Sequence, residues 1–278
     1  MVDRPFIIAN SSGDTIRGNL RYEEGGTARP TLIICHGFTA HKDWGPFPYF
    51  GERFVREGFA SIVFNFSHNG IADNFNRFTE LRKFSKNTIS KELEDVSALV
   101  GAVSAREIGN DICDISRIGI VGHSRGGGVA TLSAGMDARL KAVAAWSTVG
   151  TFFRYSRHQQ AVWREQGFLP VKIRSRPSRL RYGIEVLRDL EAHRELYDLK
   201  KAVRRLRVPL LLIHGREDLS VSPKEAEDLY EVADKSRTEL ILLDKVGHMY
   251  GAETPFTGTN STIEHIIELT AGWFHRNL

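Results

Sequence analysis

A serine, an aspartate and a histidine (Ser124, Asp218 and His248) follow one another along the chain, each just beyond a short apolar run. A serine hydroxyl attacks a carbonyl only when a base takes its proton. A carboxylate behind that base fixes its tautomer and steadies the cation that forms. Together the three residue types can perform acyl transfer. Ser124 lies in "RIGIVGHSRGGGVATLSA" (117–134), inside Gly122-His123-Ser124-Arg125-Gly126. Glycine within a strand or helix costs roughly 0.5–1 kcal/mol relative to alanine, so glycines at 122, 126, 127 and 128 need a reason. The pattern G-x-S-x-G between a strand and a helix supplies one. The serine occupies a strained turn in which side chains at positions 122 and 126 would strike neighbouring backbone. Its hydroxyl is thereby lifted over the sheet edge at a helix N-terminus, where N–H groups and the helix dipole favour developing negative charge. A tight turn with an incidental serine is the competing assignment, and the strand before and helix after weigh against it.

The chain order of this arrangement is nucleophile, acid, histidine. "LLLIHGREDLSV" offers Asp218, with Glu217 as its rival, and "LILLDKVGHMYG" offers His248, with Asp244 earlier in the same loop as a weaker acid candidate. Attack by serine places negative charge on the carbonyl oxygen, and removing one donor to that oxygen typically costs ~10²–10³ in rate. The expected donors are the backbone N–H groups of Arg125 and Phe38. Phe38 follows His36-Gly37 in the loop after "TLIICHG", where Gly37 lets the backbone approach closely. A second chemistry is open to the same edge, because His36, His68, His123, His214 and His248 all fall at strand ends. Five imidazoles could form a metallohydrolase site, although no H-E-x-x-H or similar ligand spacing is present. The reading therefore includes no metal and no cofactor.

These side chains must be held by alternating elements. Runs at 31–37, 60–67, 117–124, 140–147, 208–215 and 238–244 are short and nearly continuous in apolar residues, as strands buried on both faces of a parallel sheet are. Between them lie helical patterns. One ends at Gly58, one carries Ser90 as N-cap before the stripe Leu93, Val96, Leu99, Val100 and Val103, one opens at Ser222-Pro223, and one closes the chain. Strand–helix alternation predicts a parallel sheet with helices on both faces, preceded by a hairpin turning at "SSGD". About sixty residues separate the runs at 140–147 and 208–215, more than a crossover helix needs. We read 1–150 and 208–278 as the core and 151–207 as a helical, arginine-rich cap. Its last part (184–206) is a helical stretch with Leu196, Leu199, Val203 and Leu206 in stripe. The cap holds fifteen Lys and Arg against six Asp and Glu, in a chain of net charge +4.

The set "HGFTAHKDW", "FNFSHNG", "GHSRGG", "HGREDLSV" and "VGHMYG" resembles the α/β-hydrolase superfamily, and within it bacterial esterases of the feruloyl/cinnamoyl-esterase and dienelactone-hydrolase-like groups. The resemblance covers most of the chain outside the cap. It implies an α/β-hydrolase fold with a mostly parallel eight-stranded sheet, Ser124 as nucleophile, His248 as base and Asp218 as the acid. The expected activity is hydrolysis of small to medium carboxylic esters through an acyl-enzyme, including aromatic acyl esters. Acyl-CoA or other thioester hydrolysis by the same triad is the alternative, and a non-catalytic binding protein is a rival from another class. Phe75, Phe78, Phe84, Tyr155 and Trp163 are candidates for an apolar or aromatic pocket, against the competing assignment of core rings. The run 171–181 could attract an anionic substrate group but reads first as a solvated face. No nucleic-acid motif surrounds it. No run is long and apolar enough to span a bilayer, and the N-terminal residues read as no targeting segment. With only Cys35 and Cys113, both expected as reduced thiols, the expected compartment is the cytoplasm. The expected partner is a small-molecule ester, and a homo-oligomer is compatible with the sequence.

Overall fold

The computed structural model describes residues 1–72, 77–171, 179–253 and 255–278. The chain opens with the hairpin β1 (Val2–Ala9) and β2 (Thr15–Tyr22), then runs β3 (Arg29–Cys35), α1 (Phe47–Arg56), β4 (Ala60–Asn65), α2 (Leu81–Ser85), α3 (Ile89–Ser104), β5 (Cys113–His123), α4 (Arg125–Met136) and β6 (Leu140–Trp146). After β6 come α5 (Arg157–Gln166), β7 (Phe168–Pro170), β8 (Arg181–Gly183), α6 (Ile184–Ala192) and α7 (Leu199–Arg205). The remainder is β9 (Leu210–Gly215), α8 (Pro223–Val232), β10 (Thr238–Leu243) and α9 (Ser261–Asn277).

Eight strands form one sheet in the order β1-β2-β4-β3-β5-β6-β9-β10. β1 pairs antiparallel with β2 and β2 antiparallel with β4, and every other pairing is parallel. The central strands β3, β4, β6 and β9 are buried on both faces, which is why they read as nearly unbroken apolar runs. Successive residues still take opposite sides. Ile33, Ile62, Ile120 and Leu212 join α3 and α4 on one face, while Leu32, Val63, Val121 and Leu211 join α1 and α9 on the other. The strand order reverses beside β3 and β5, whose carboxyl ends therefore open side by side. In open α/β sheets such a switch point leaves a crevice for ligands.

Helix boundaries follow local chemistry. Ser222 caps α8 with Pro223 at its first position, as the sequence suggests. α3 starts earlier than Ser90 predicts. Thr88 accepts the Lys91 N–H as N-cap, and Ser90 instead bonds Asp189 and the Tyr197 hydroxyl. The expected stripe from Leu93 to Val103 is buried. The helical stretch read over 184–206 is two helices. Asp198 caps the second by accepting from Lys201 N–H, and Leu196 stays 43% exposed in the break rather than joining the stripe. Phe84, Trp163, Val171, Leu180, Tyr182, Val186 and Leu187 form a separate apolar cluster, so the segment after β6 has packing of its own. Most of the basic run 171–181 lies outside the described residues, as does Phe75.

Candidate active site

Ser124, between β5 and α4, has φ +56° and ψ −120°, a conformation that costs a non-glycine residue about 1–3 kcal/mol. Its neighbours must be glycine for steric reasons. A Cβ on Gly122 would fall 2.1 Å from the Gly126 carbonyl oxygen, and one on Gly126 2.5 Å from the oxygen of His36. The turn is held by the Ser124 N–H donating to Trp146 O at 2.8 Å and by the Gly127 N–H donating to Ser124 O at 3.0 Å. Strain gathers around it. Among the described non-glycine residues with positive φ, Thr39, Ser124, Ser147, Lys245 and Tyr250 all follow the carboxyl ends of strands, and Arg106 alone does not.

The loops after β9 and β10 are built as one unit. The Arg216 N–H donates to Leu243 O and the Glu217 N–H to Val246 O, each at 2.9 Å. Gly215 lies so close beneath Val246 that a Cβ there would be 2.2 Å from its carbonyl oxygen. This junction brings His248 to Asp218, with Nδ1 2.7 Å from Oδ2. Asp218 Oδ1 accepts from the Ser220 and Val221 N–H groups at 2.8 and 2.9 Å, and His214 Nε2 lies 3.1 Å from Oδ2. Burial alone would push this carboxyl up, but His214, His248 and the Val221 amide reverse the effect and hold it well below the usual carboxylate range. Neither rival acid is placed so. Glu217 is exposed, and Asp244 pairs with Arg216 at 2.8 Å.

Ser124 and His248 line one cavity of about 280 Å³, together with Phe38, Arg125, Val149, Phe152, Arg154, Tyr155, Tyr182 and others. The Phe38 and Arg125 N–H groups have no acceptor among the described residues. The peptide that carries the Phe38 N–H is oriented from its other side. Gly37 O accepts from His36 Nδ1 at 2.9 Å and from the Ala40 N–H at 3.2 Å, so the trans amide directs its N–H the opposite way. The Lys42 N–H donates to Asn65 Oδ1 at 2.7 Å, tying the same loop to the end of β4. Gly37 permits the approach, since a Cβ would sit 3.2 Å from both His123 Nδ1 and Ser124 Cβ.

His123 donates from Nε2 to the His248 carbonyl at 2.9 Å, and its ring lies 4.8 Å from that of His248. Burial, then the neighbouring His248, push the His123 imidazole down to about 3. Burial does the same to His36, so both rings stay neutral through the physiological range. The remaining edge histidines have protein partners: His68 meets the Ser67 hydroxyl, and His214 the Val221 carbonyl.

Five rings are pocket candidates from the sequence, with core packing as the competing assignment, and Phe75 among them lies outside the described residues. Tyr155 lines the cavity, while Phe84, Phe78 and Trp163 stand behind it. Phe84 stacks on Tyr182 and touches Phe38, Trp163 stacks on Tyr182, and Phe78 meets Phe84 edge-on. The lining rings that those candidates leave out are Phe152 and Tyr182, the latter stacked on Phe38 at 5.3 Å. Ring type gives no sign of which layer faces the cavity. Also missed was the partner of the Arg125 side chain. Its Nε donates to both carboxylate oxygens of buried Glu92 at 2.9 Å, while its other nitrogens reach Tyr182 Oη and Asn87 O. Arg154 pairs with Glu225 at 2.6 Å. Both arginines of the cavity wall are thus charge-compensated.

Residues 32–261 match the model of a family described as the alpha/beta hydrolase family. An Escherichia coli protein, the "uncharacterized 31.7 kDa protein in traX-finO intergenic region", is 28% identical over 137 residues, which is 49% of this chain. The match spans 43% of that relative's length. Similar solved structures include the α/β hydrolase GrgF from Penicillium, at TM-score 0.77, 17% identity and coverage of 100% and 99% of the two chains. Est1E from Butyrivibrio proteoclasticus with ferulic acid bound follows at TM-score 0.69 and 19% identity, over 98% of each chain. A dienelactone hydrolase from Anabaena variabilis matches at TM-score 0.63 and 16% identity, over 99% of each chain. At these identities the structures speak for the fold, and the family match over most of the chain joins it to the strained serine turn already described. The chain belongs to the alpha/beta hydrolase family.

Proposed function

We propose that the protein is a serine carboxylic-ester hydrolase. The observation that carries the reading is a strained, glycine-flanked Ser124 facing the same cavity as a His248 whose Nδ1 is held 2.7 Å from a buried carboxylate. His248 takes the Ser124 proton as the hydroxyl adds to the ester carbonyl, and the Arg125 and Phe38 N–H groups hold the oxyanion. The same imidazole then protonates the leaving alcohol and activates water to clear the acyl-enzyme. Asp218, far from its protonation range, fixes the tautomer and steadies the imidazolium.

The cavity bounds the substrate. Its volume of about 280 Å³ lies just below the ~300–1,000 Å³ typical of ligand pockets, which suits a small ester. Phe38, Phe152, Tyr155 and Tyr182 favour an apolar or aromatic acyl group, in keeping with the ferulic acid held by the similar Est1E. With Arg125 and Arg154 each neutralised by a carboxylate, the wall selects for uncharged esters. The segment 151–207 acts as a cap, supplying Phe152, Arg154, Tyr155 and Tyr182 to the cavity. A panel of p-nitrophenyl esters of graded acyl length, methyl ferulate and an acyl-CoA tests this reading, alongside fluorophosphonate labelling. Ser124→Ala should lose both labelling and about 10⁴-fold or more in turnover. Near-full activity in that variant refutes the assignment.

A further inference from the structure

Asp218 receives more than the proposed triad requires. Oδ2 faces two imidazoles, His248 Nδ1 at 2.7 Å and His214 Nε2 at 3.1 Å. His214 comes from the end of β9, four residues before the aspartate, and its side chain is fully buried. Its Nε2 also lies 3.0 Å from the Val221 carbonyl, while its Nδ1 is buried with no partner. Two oxygens facing one nitrogen require a hydrogen on Nε2. A proton on Nδ1 would be an unsatisfied buried donor, which costs more than an unpaired acceptor lone pair. The ring therefore carries a hydrogen on Nε2, in reach of both Asp218 Oδ2 and Val221 O. The same loop is closed by the Ser220 and Val221 N–H groups on Oδ1, so both carboxylate oxygens are pinned.

We infer that His214 is a positioning residue for the reaction, whose Nε2–H holds Asp218 in the one orientation that serves His248 and withdraws charge from the oxygen the two imidazoles share. This rests on the triad reading. Two consequences follow. The carboxylate cannot rotate away from His248 without leaving His214 Nε2–H half-satisfied. An oxygen already accepting from His214 is also a weaker partner for an imidazolium, so removing that donor strengthens the hold on the protonated base. The acid limb of kcat/KM, below which the base is protonated, then moves to higher pH. The titratable groups packed around the pair are His123, neutral through the range, and Tyr250, whose phenol burial raises well above its ordinary value. Neither changes charge where the limb lies.

His214→Phe removes the donor and keeps a ring of similar breadth, and His214→Gln returns an N–H near the position of Nε2. For His214→Phe we expect the acid limb to rise by about 0.5–1 pH unit, the size of losing a fraction of one charged hydrogen bond, with kcat lowered about tenfold. His214→Gln should recover most of both. A folded His214→Phe with its limb unmoved overturns the role, as does a Gln variant no better than Phe. Should His214→Phe fail to fold, histidine nitrogen NMR of the unaltered protein decides. The reading requires the His214 proton on Nε2, and a His214 that carries it on Nδ1 instead overturns it. Ser124→Ala assayed in parallel separates the two claims. Activity surviving there removes the triad reading itself, whereas an inactive Ser124→Ala with an unmoved limb in His214→Phe removes only the part given to His214.

Discussion

The ion pair between Arg125 and Glu92 can be tested by a thermodynamic cycle whose magnitude follows from its burial. Glu92 in α3 has a side-chain exposure of 4% and Arg125 one of 13%, and Nε lies 2.9 Å from both carboxylate oxygens. Burial pushes the Glu92 carboxyl up against the opposing pull of Arg125, so the charge depends on its partner. Removing one member of a buried pair costs about 3–5 kcal/mol because the other charge is stranded, whereas replacing both with apolar residues of similar volume is often near neutral. Glu92→Leu and Arg125→Met should therefore each lose about 3–5 kcal/mol. At about 2–4 °C per kcal/mol for chains of this size, that is a Tm lower by about 6–20 °C. The double variant should return to within about 2 kcal/mol of the parent, giving a coupling energy well outside the additive range. Urea unfolding followed by tryptophan fluorescence measures all four corners. Because the amide at position 125 is untouched, ester turnover in the double variant should stay within about tenfold of the parent, a loss of about 1.4 kcal/mol in barrier. Single variants costing under about 1 kcal/mol, or a double variant equal to the sum of the singles, would refute the reasoning.

Gly126→Ala should abolish most activity while Gly135→Ala, in the same helix, should not. The first Cβ meets the His36 and Cys35 carbonyl oxygens at 2.5 and 2.6 Å and must drive the Phe38 loop away, with an expected loss of ~10²-fold or more in kcat. The second has nothing nearer than Leu206 at 3.8 Å and should gain about 0.5–1 kcal/mol by urea unfolding. Asp95 predicts a pH dependence, since burial raises its carboxyl to about 7 despite hydrogen bonds from the Ser67 N–H and Asn10. A carboxyl raised on folding contributes stability that is full below about pH 4 and is lost as pH rises through about 7. Between pH 5 and 7, the slope of unfolding free energy against pH should be more positive in Asp95→Asn than in the parent by up to about 1.4 kcal/mol per unit; identical slopes would show that Asp95 does not titrate there.

Much of this molecule is legible in its sequence, and the legible parts share a cause. Strands β3, β5, β6 and β9 are buried on both faces, so apolar runs are the direct record of their burial. The turn at Ser124 is legible because steric exclusion at 122 and 126 admits only glycine. What escapes is whatever depends on pairing across long separations. Nothing near Arg125 announces Glu92, thirty-three residues earlier, and nothing in the order of aromatic residues says that Tyr182 faces the cavity while Trp163 backs it. The N-cap of α3 was misplaced by two residues because Thr88 and Ser90 are equally able to cap, and the choice falls to Asp189, far away in sequence, which engages Ser90. Leu196 matched a helical stripe in spacing alone. Asp198 starts a new helix there, and local periodicity carries no trace of the break.

Phe38 belongs to two structures at once. It lines the cavity beside Ser124, and its ring stacks on Tyr182 and touches Phe84. Under the proposed function, specificity and rate are therefore welded at one residue. A chimera that exchanged residues 151–207 for the corresponding segment of another family member would inherit a different neighbour for that ring, and with it a differently seated amide. Retuning what the proposed hydrolase accepts by exchanging residues 151–207 should thus disturb how fast it reacts, unless the graft brings its own aromatic counterpart for position 38.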